Sequence, residues 1–469
     1  MLLRHPFAAF LLAVLLCCPS VLADQNGHSD KSRTLPKADA SVVRVAVPAS
    51  VEIVASELNF PTSVELDDDG TVWIGLSGAG HGNPGVKPAV LKVTGDGKTE
   101  TVIEDGLVAP LNDLLWHDGT LYVSHRGKVS KWNGSSLEDV VTGLPSKGDH
   151  TNNQIDIGPD GKLYIGQGSA TNSGVAGPDN KKWVKKHADF HDTLPKDVTL
   201  LGETFTSKSF LDSSDEKAKT SAFMAFGETR DGKQPADAVE VPTACLLRCD
   251  LNGSNMEVFA WGLRNPFGVL VNDDGTVFVG DHGCDVRGSR PVADDLEDLY
   301  LLREGDWAGW PDYCYGVAIT DTRFKPDGKS QPKFVMAEHP EPAVPVATFP
   351  NHSAIGKLDR LKENSSLGSE GDVFIALFGN MAPKTGTAPN PPGGMRVMRF
   401  SPSTNEVTVF AEAKEPTPTD WTAGIRRPLD VRISSDGNTL YVADYGTLGD
   451  GKHLKAVKNS GVIWKISGE

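Results

Sequence analysis

Basic residues are the minority charge in this chain: 46 Lys and Arg stand against 62 Asp and Glu, for a net charge of −16 and a pI near 5.2. That balance excludes the positive footprint needed to hold nucleic acid or an anionic membrane surface. Cysteine is scarce, six in 469 residues. No Cys-x-x-Cys-His occurs and no second thiol pair has ligand spacing, which excludes the signatures of a covalent haem or a zinc site. Long apolar runs are missing as well. The one stretch of note, Phe7 to Leu16, is too short to cross a bilayer. No segment carries the periodicity of a long amphipathic helix, and the D-x-D-x-D-G spacing of an EF-hand is absent.

What is present begins with an export signal. Arg4 and His5 give a weakly positive start, the apolar stretch follows, and Val21-Leu22-Ala23 offers a small-residue cleavage site. Leu16 is too bulky to precede a lipidated Cys17. The expectation is a signal over residues 1–23 and a secreted or periplasmic protein. Residues 24–42 are polar and aperiodic, as in a disordered spacer. Cleavage leaves Cys245, Cys249, Cys284 and Cys314, as disulfides or buried thiols, with Cys245 and Cys249 able to pair if the chain turns between them.

The main pattern is a repeat. A short apolar run, an Asp-Gly-type turn and a second apolar run recur six times. The copies are PTSVELDDDGTVWIGL from Pro61, LNDLLWHDGTLYVSH from Leu111, NQIDIGPDGKLYIGQG from Asn153, NPFGVLVNDDGTVFVGDHG from Asn265, the degenerate GDVFIALFG from Gly371, and RPLDVRISSDGNTLYVADYG from Arg427. Further hairpin pairs start at Ala89, Cys245 and Met395, so one unit holds four strands. The segment near Ser50 resembles half of an outer hairpin and GVIWKISG at the C-terminus the other half. Together they predict an all-β, six-bladed β-propeller over 43–469, closed by pairing of the N- and C-terminal strands. Aperiodic stretches at about 175–241 and 310–345 are expected as loop insertions.

Measured back from the Asp-Gly turns, His150, Arg264 and Arg427 occupy closely similar phases, which places them around one mouth of the central channel. His150, beside Asp149, has the chemistry of a general base. The run from Asp281 carries Asp294, Asp295, Glu297 and Asp298 after a Gly-rich turn, a composition that suits calcium or an acidic surface loop.

GLRNPFG, DHG, the acidic pair and GDWAGWP, in that order, with GDH…GPDGKLYIG upstream and RPLDVRISSDG downstream, resemble the soluble glucose/sorbosone dehydrogenases, and more closely their sorbosone-type branch. The resemblance implies an oxidoreductase that oxidises a sugar or sugar-derived aldehyde, with pyrroloquinoline quinone (PQQ), calcium and an external electron acceptor. By position, it implies His150 as the base, Arg264, Asn265 and Arg427 as quinone-binding groups, and Gly283, Cys284 and Asp298 as calcium ligands. The chain departs from that pattern at Leu429, where a second arginine is expected, at Phe378 in place of a lysine, at Cys284 in place of a proline and at Asp298 in place of a glutamate. The alternatives are a non-catalytic propeller that binds carbohydrate or protein, and a calcium-dependent lactonase.

Overall fold

The computed structural model describes residues 34–78, 85–211, 216–381, 393–415, 420–448 and 455–469. The expected signal and the first part of the spacer lie outside these. Residues 34–42 do not behave as a spacer. Asp39 N–H donates to the Ala423 carbonyl at 2.9 Å, and Arg426 Nη2 donates to the Pro36 carbonyl at 2.6 Å, so backbone groups there are satisfied by the propeller itself.

Six antiparallel four-stranded units form a β-propeller. Their inner strands are Pro61–Leu66, Leu111–His117, Asn152–Ile157, Pro266–Val271, Ile355–Arg360 and Pro428–Ile433, here blades one to six. Each inner strand packs against the next, and that of blade six against that of blade one. Blade six is made from both ends of the chain. Its outer strand, Ala49–Leu58, pairs with the C-terminal strand Gly461–Gly468, Val51 opposite Ile466 and Ile53 opposite Trp464. Trp464 and Ile466 are fully buried. Val43–Val45 adds a fifth strand to the edge of blade five.

The repeat encodes more than strands. In all six blades the inner pair contains a bulge between the first residue of the inner strand and the third or fourth. Bulges bend a strand and re-aim its neighbours, and here they shape one end of the channel. Side chains also stitch blade to blade. The carboxylate of Asp113 accepts the Ile155 amide at 2.9 Å, Asp156 that of Val271 at 2.7 Å, Asp359 that of Ile433 at 2.6 Å, and Asp430 that of Val64 at 2.9 Å. Such charge-assisted bonds contribute about 1.5–3 kcal/mol each when their partners are buried. Lys357 lies among them, fully buried, with Nζ 2.6 Å from Asp113 and 3.0 Å from Asp430. It balances two of the acids that line the channel.

The two insertions fall within blades three and four. The first, between Leu163–Gln167 and Cys245–Cys249, contains two small antiparallel strand pairs and the short helix Lys181–Val184. The second, between Glu297–Leu302 and Ala347–Phe349, meets the first: Leu201 N–H donates to the Val335 carbonyl and Ala337 N–H to that of Thr199, both at 2.8 Å. Together they cover a shared apolar cluster. Cys245 and Cys249 begin and end one extended strand, roughly 13 Å apart at the usual rise of a strand. The turn their pairing requires is absent. Among the described residues no helix is long and apolar enough to cross a membrane.

Candidate functional site

The bulged ends of the inner strands carry the sequence-predicted residues. In blade four, Asp281 ends the second strand and its carboxylate accepts the amides of Arg264 at 2.9 Å and Asn265 at 2.6 Å. Blade six repeats the device: Asp444 accepts the amides of Arg426 at 2.7 Å and Arg427 at 2.8 Å. The repetition corrects the expected phase. Arg426 takes the place of Arg264, and Arg427 that of Asn265. Neighbouring residues on an extended chain project to opposite sides, so one position decides where each guanidinium goes.

His150 enters blade three in the place matching Arg264. Its Nδ1 lies 3.0 Å from the Ser169 carbonyl. A carbonyl only accepts, so Nδ1 carries the proton and Nε2 is the basic nitrogen. Burial, reinforced by the positive charges of Arg264 and Arg287, holds the imidazole well below its usual pKa. It is neutral at physiological pH. Gly168 makes this placement possible, since a Cβ there would lie 2.4 Å from the His150 Cβ and 2.7 Å from Asn265 Oδ1.

Arg264 is buried. Its Nε donates to the Asn172 carbonyl at 3.1 Å and its Nη2 to Asn172 Oδ1 at 3.0 Å and Asp285 Oδ2 at 2.9 Å. Burial alone would raise the Asp285 pKa. Arg264, His352 and Arg287 overcome it and hold the carboxyl well below the usual range. Arg287 joins three loops, reaching Asp285 and Asp179 at 2.9 Å and Asp149, next to His150, at 2.5 Å. Asn265 donates to His282 Nδ1 at 2.9 Å and accepts from Asn153 Nδ2 at 2.9 Å. His282 in turn donates from Nε2 to the Ile355 carbonyl at 2.6 Å, and burial lowers its pKa to about 4.

Behind Arg264 lies a small cavity lined by Asp281, Gly283, Asp295, Asp298, Tyr300 and Cys314. Burial, the largest cause in each case, raises Asp281 to about 7 and Asp295 to about 6, and Asp298 well above its usual value. Asp295 Oδ1 and Asp298 Oδ1 are buried without a hydrogen-bond partner. Tyr300 donates to the other Asp298 oxygen at 2.9 Å, and the Cys284 amide to the other Asp295 oxygen at 2.6 Å. Gly283 is required where it stands, because a Cβ would meet the Leu296 carbonyl at 2.2 Å. Unpartnered carboxylate oxygens and a close-passing backbone suit a hard cation. Among the described residues no three His, Cys, Asp or Glu side chains converge as a coordination set, so any cation held here would need carbonyls or water to complete its shell.

Arg427 stands apart from this group. Its Nε is paired with Asp420, its Nη1 donates to the carbonyls of Phe378, Gly379 and Asn380 at 3.0–3.3 Å, and its guanidinium lies 5.0 Å from the Phe378 ring centroid. Phe378 and Leu429 share one apolar cluster with Phe60, Tyr445 and Leu448, against which Phe267 packs. Phe267 also stacks on His282, with ring centroids 5.4 Å apart. The structure therefore brings His150, Arg264 and Asn265 together with His282, places Gly283, Cys284 and Asp298 next to Arg264, and sets Arg427 beside an apolar patch. Sequence reasoning gave no role to Asp285, Arg287, Ser169 or Asn172. The repeated pairing of RNP with VGDHG and RRP with VADYG was the available signal for Asp281 and Asp444.

No family model matches the chain, and no curated protein matches it in sequence. Solved structures do. The PQQ domain of pyranose dehydrogenase from Coprinopsis cinerea, in its holo form, matches with a TM-score of 0.56 at 16% identity, over 92% of this chain and 98% of that one. A calcium structure of a Trichoderma reesei carbohydrate-active enzyme of family AA12 gives 0.55 at 16% identity, over 93% and 99%. The PQQ-bound aldose sugar dehydrogenase of Streptomyces coelicolor gives 0.51 at 15%, over 91% and 100%. Across nearly its whole length, this chain shares the fold of these structures, a six-bladed β-propeller.

Proposed function

We propose that the protein is an oxidoreductase that oxidises a sugar or sugar-derived aldehyde at the mouth of the propeller channel, with PQQ and calcium. The observation that supports this most directly is His150, a neutral imidazole with its basic Nε2 beside the Arg264–Asp285 pair. A second support is the adjoining carboxylate cavity. The fold shared with PQQ-containing and calcium-containing structures is consistent with both cofactors.

In this reading His150 Nε2 accepts the proton of the substrate hydroxyl as its carbon is oxidised, and the Ser169 carbonyl keeps the ring in the required tautomer. Bound quinone would supply the two-electron acceptor for the departing hydride, and calcium the positive charge that polarises it. Arg264, Asn265 and Arg427 would hold the quinone. The carbonyls of Gly283 and Cys284, with Asp298 and the neighbouring Asp295, would hold the cation. Phe267, half-buried on the cluster of Phe60, Phe378 and Leu429, would offer an apolar face to a planar ring. Arg287 fixes the His150 loop to the first insertion through Asp149 and Asp179, which limits how far that side of the mouth opens. Export is part of the proposal, resting on residues 1–23.

The test is reconstitution. Purified protein with added PQQ and calcium is assayed for dye reduction over a panel of aldoses, ketoses and sugar aldehydes, with quinone binding followed by absorbance. Turnover that requires both additions supports the reading. Absence of quinone binding at micromolar concentration overturns it and leaves a propeller that binds carbohydrate or protein.

A further inference from the structure

We propose that Cys284 and Cys314 form a disulfide that staples the second insertion to the loop carrying Gly283. Cys284 follows the end of the Val277–Asp281 strand. Cys314 lies in the small hairpin of Tyr313–Cys314 with Val317–Ala318, inside the insertion. The stretch 285–313 separates them in sequence, yet they belong to the same buried cluster, 5% and 4% exposed.

Their surroundings are shared. The two thiols interact with each other and with the carboxyl of Asp295, and Cys314 and Asp295 line one small cavity. The Cys284 amide donates to that same carboxyl at 2.6 Å. On the other side, Cys284 Sγ lies 3.4 Å from the Asn172 carbonyl, which also accepts from Trp310 Nε1 at 3.3 Å. Asp295 and Asn172 thus bracket the pair and fix the chain on both sides of it. Cys245 and Cys249, at the two ends of one strand, have no comparable route and stay as thiols.

The reaction is a thiol–disulfide exchange with a small-molecule disulfide such as oxidised glutathione. One protein thiolate attacks a glutathione sulfur and releases the first glutathione. The second protein thiolate then displaces the other glutathione from the mixed disulfide. Two protein thiols are oxidised, one glutathione disulfide is reduced, and the two thiol protons pass to the two glutathiones released. Both sulfurs are buried in the finished fold, so the exchange occurs while the insertion is still open, during folding.

The protein without residues 1–23 is folded once in a glutathione redox buffer and once in dithiothreitol. Should refolding fail, it is expressed instead in an oxidising and in a reducing compartment. Free thiols are counted after denaturation, and non-reduced peptides are mapped by mass spectrometry. The residues after cleavage of the signal hold four cysteines, each free and buried in this structure. The staple requires two titratable thiols and one linked peptide joining Cys284 to Cys314 in the oxidised sample. It also requires a thermal midpoint above that of the reduced sample by on the order of 5 °C, a difference that Cys314→Ala abolishes. Four free thiols in the oxidised sample, or a linkage that includes Cys245 or Cys249, would overturn the proposal. If Cys314→Ala does not fold, the thiol count and the peptide map decide alone.

Discussion

Lys357 is the side chain whose removal has the most calculable consequence. It is fully buried between Asp113 and Asp430, both also inaccessible to solvent. Lys357→Met keeps the length of the side chain and deletes its charge, so two carboxylates lose their ion-pair partner and keep only the Coulombic pull of Arg432. Breaking a buried pair in this way costs about 3–5 kcal/mol. With two partners affected, the upper end is expected, a large share of the roughly 5–15 kcal/mol that stabilises a typical domain. The pH dependence identifies the cause. Burial already raises Asp113 above its usual pKa, and Lys357 is the first of the groups that oppose the shift. Without Lys357 the folded-state pKa rises further, and an acid whose folded pKa exceeds its unfolded one loses stability as pH increases. The deficit is therefore smaller at pH 5 than at pH 8. Urea titrations of both proteins at the two pH values, followed by tryptophan fluorescence, measure it. Lys357→Met combined with Asp113→Asn should recover part of the loss. A deficit below about 1 kcal/mol, or one that is equal at both pH values, would refute the view of Lys357 as the charge balance of the channel.

Three further predictions concern the site and the ring. In reconstituted enzyme, His150→Ala should lower turnover by on the order of 10²–10⁴-fold with little change in KM. Because the histidine is held well below its usual pKa, wild-type turnover should stay flat as pH falls through 6.5, and an acidic limb near that value would count against His150 as the base. Asp298→Asn removes one negative ligand without altering shape, so calcium titrated calorimetrically should bind at least tenfold more weakly; identical isotherms would reduce the acid cluster to a structural feature. Deleting residues 461–469 removes the partner of Ala49–Leu58 and of Thr439–Asp444 together, and cooperative melting should be lost. A truncated protein with an unchanged melting curve would contradict the observed closure of the ring.

Much of the fold could be read from the sequence because each blade repeats the same physical solution. An alternating run, a tight Asp-Gly turn and a second run made five inner hairpins legible, and the two unmatched half-hairpins near Ser50 and at Gly461 were legible as one blade. Blade four was harder, since its outermost strand, Ala347–Phe349, is three residues long and follows a long insertion. The site was readable in part. His150, Arg264 and Asn265 stand out as polar residues at strand entrances. Periodicity gives position along a strand, but not the path a long side chain takes. The RRP motif marks Arg427 as a strand-entrance cation, but not that its guanidinium meets Asp420 and three carbonyls. Arg287, the hub of three carboxylates, sits in a loop with no period and gave no signal at all.

The clasp in blade six has a consequence for how the protein is made. Synthesis runs from the N-terminus, so Ala49–Leu58 is among the first strands to emerge, while its partner, Gly461–Gly468, is among the last. For the whole interval between, its pairing edge and the apolar residues destined to face Trp464 and Ile466 have no native partner. Blades one to five can assemble from consecutive chain, yet the circle stays open until Gly461–Gly468 leaves the ribosome. The vulnerable period is therefore set by translation time, roughly tens of seconds at typical elongation rates. Any nascent chain interrupted before position 461 is left with an exposed strand edge, the feature that most readily recruits another chain.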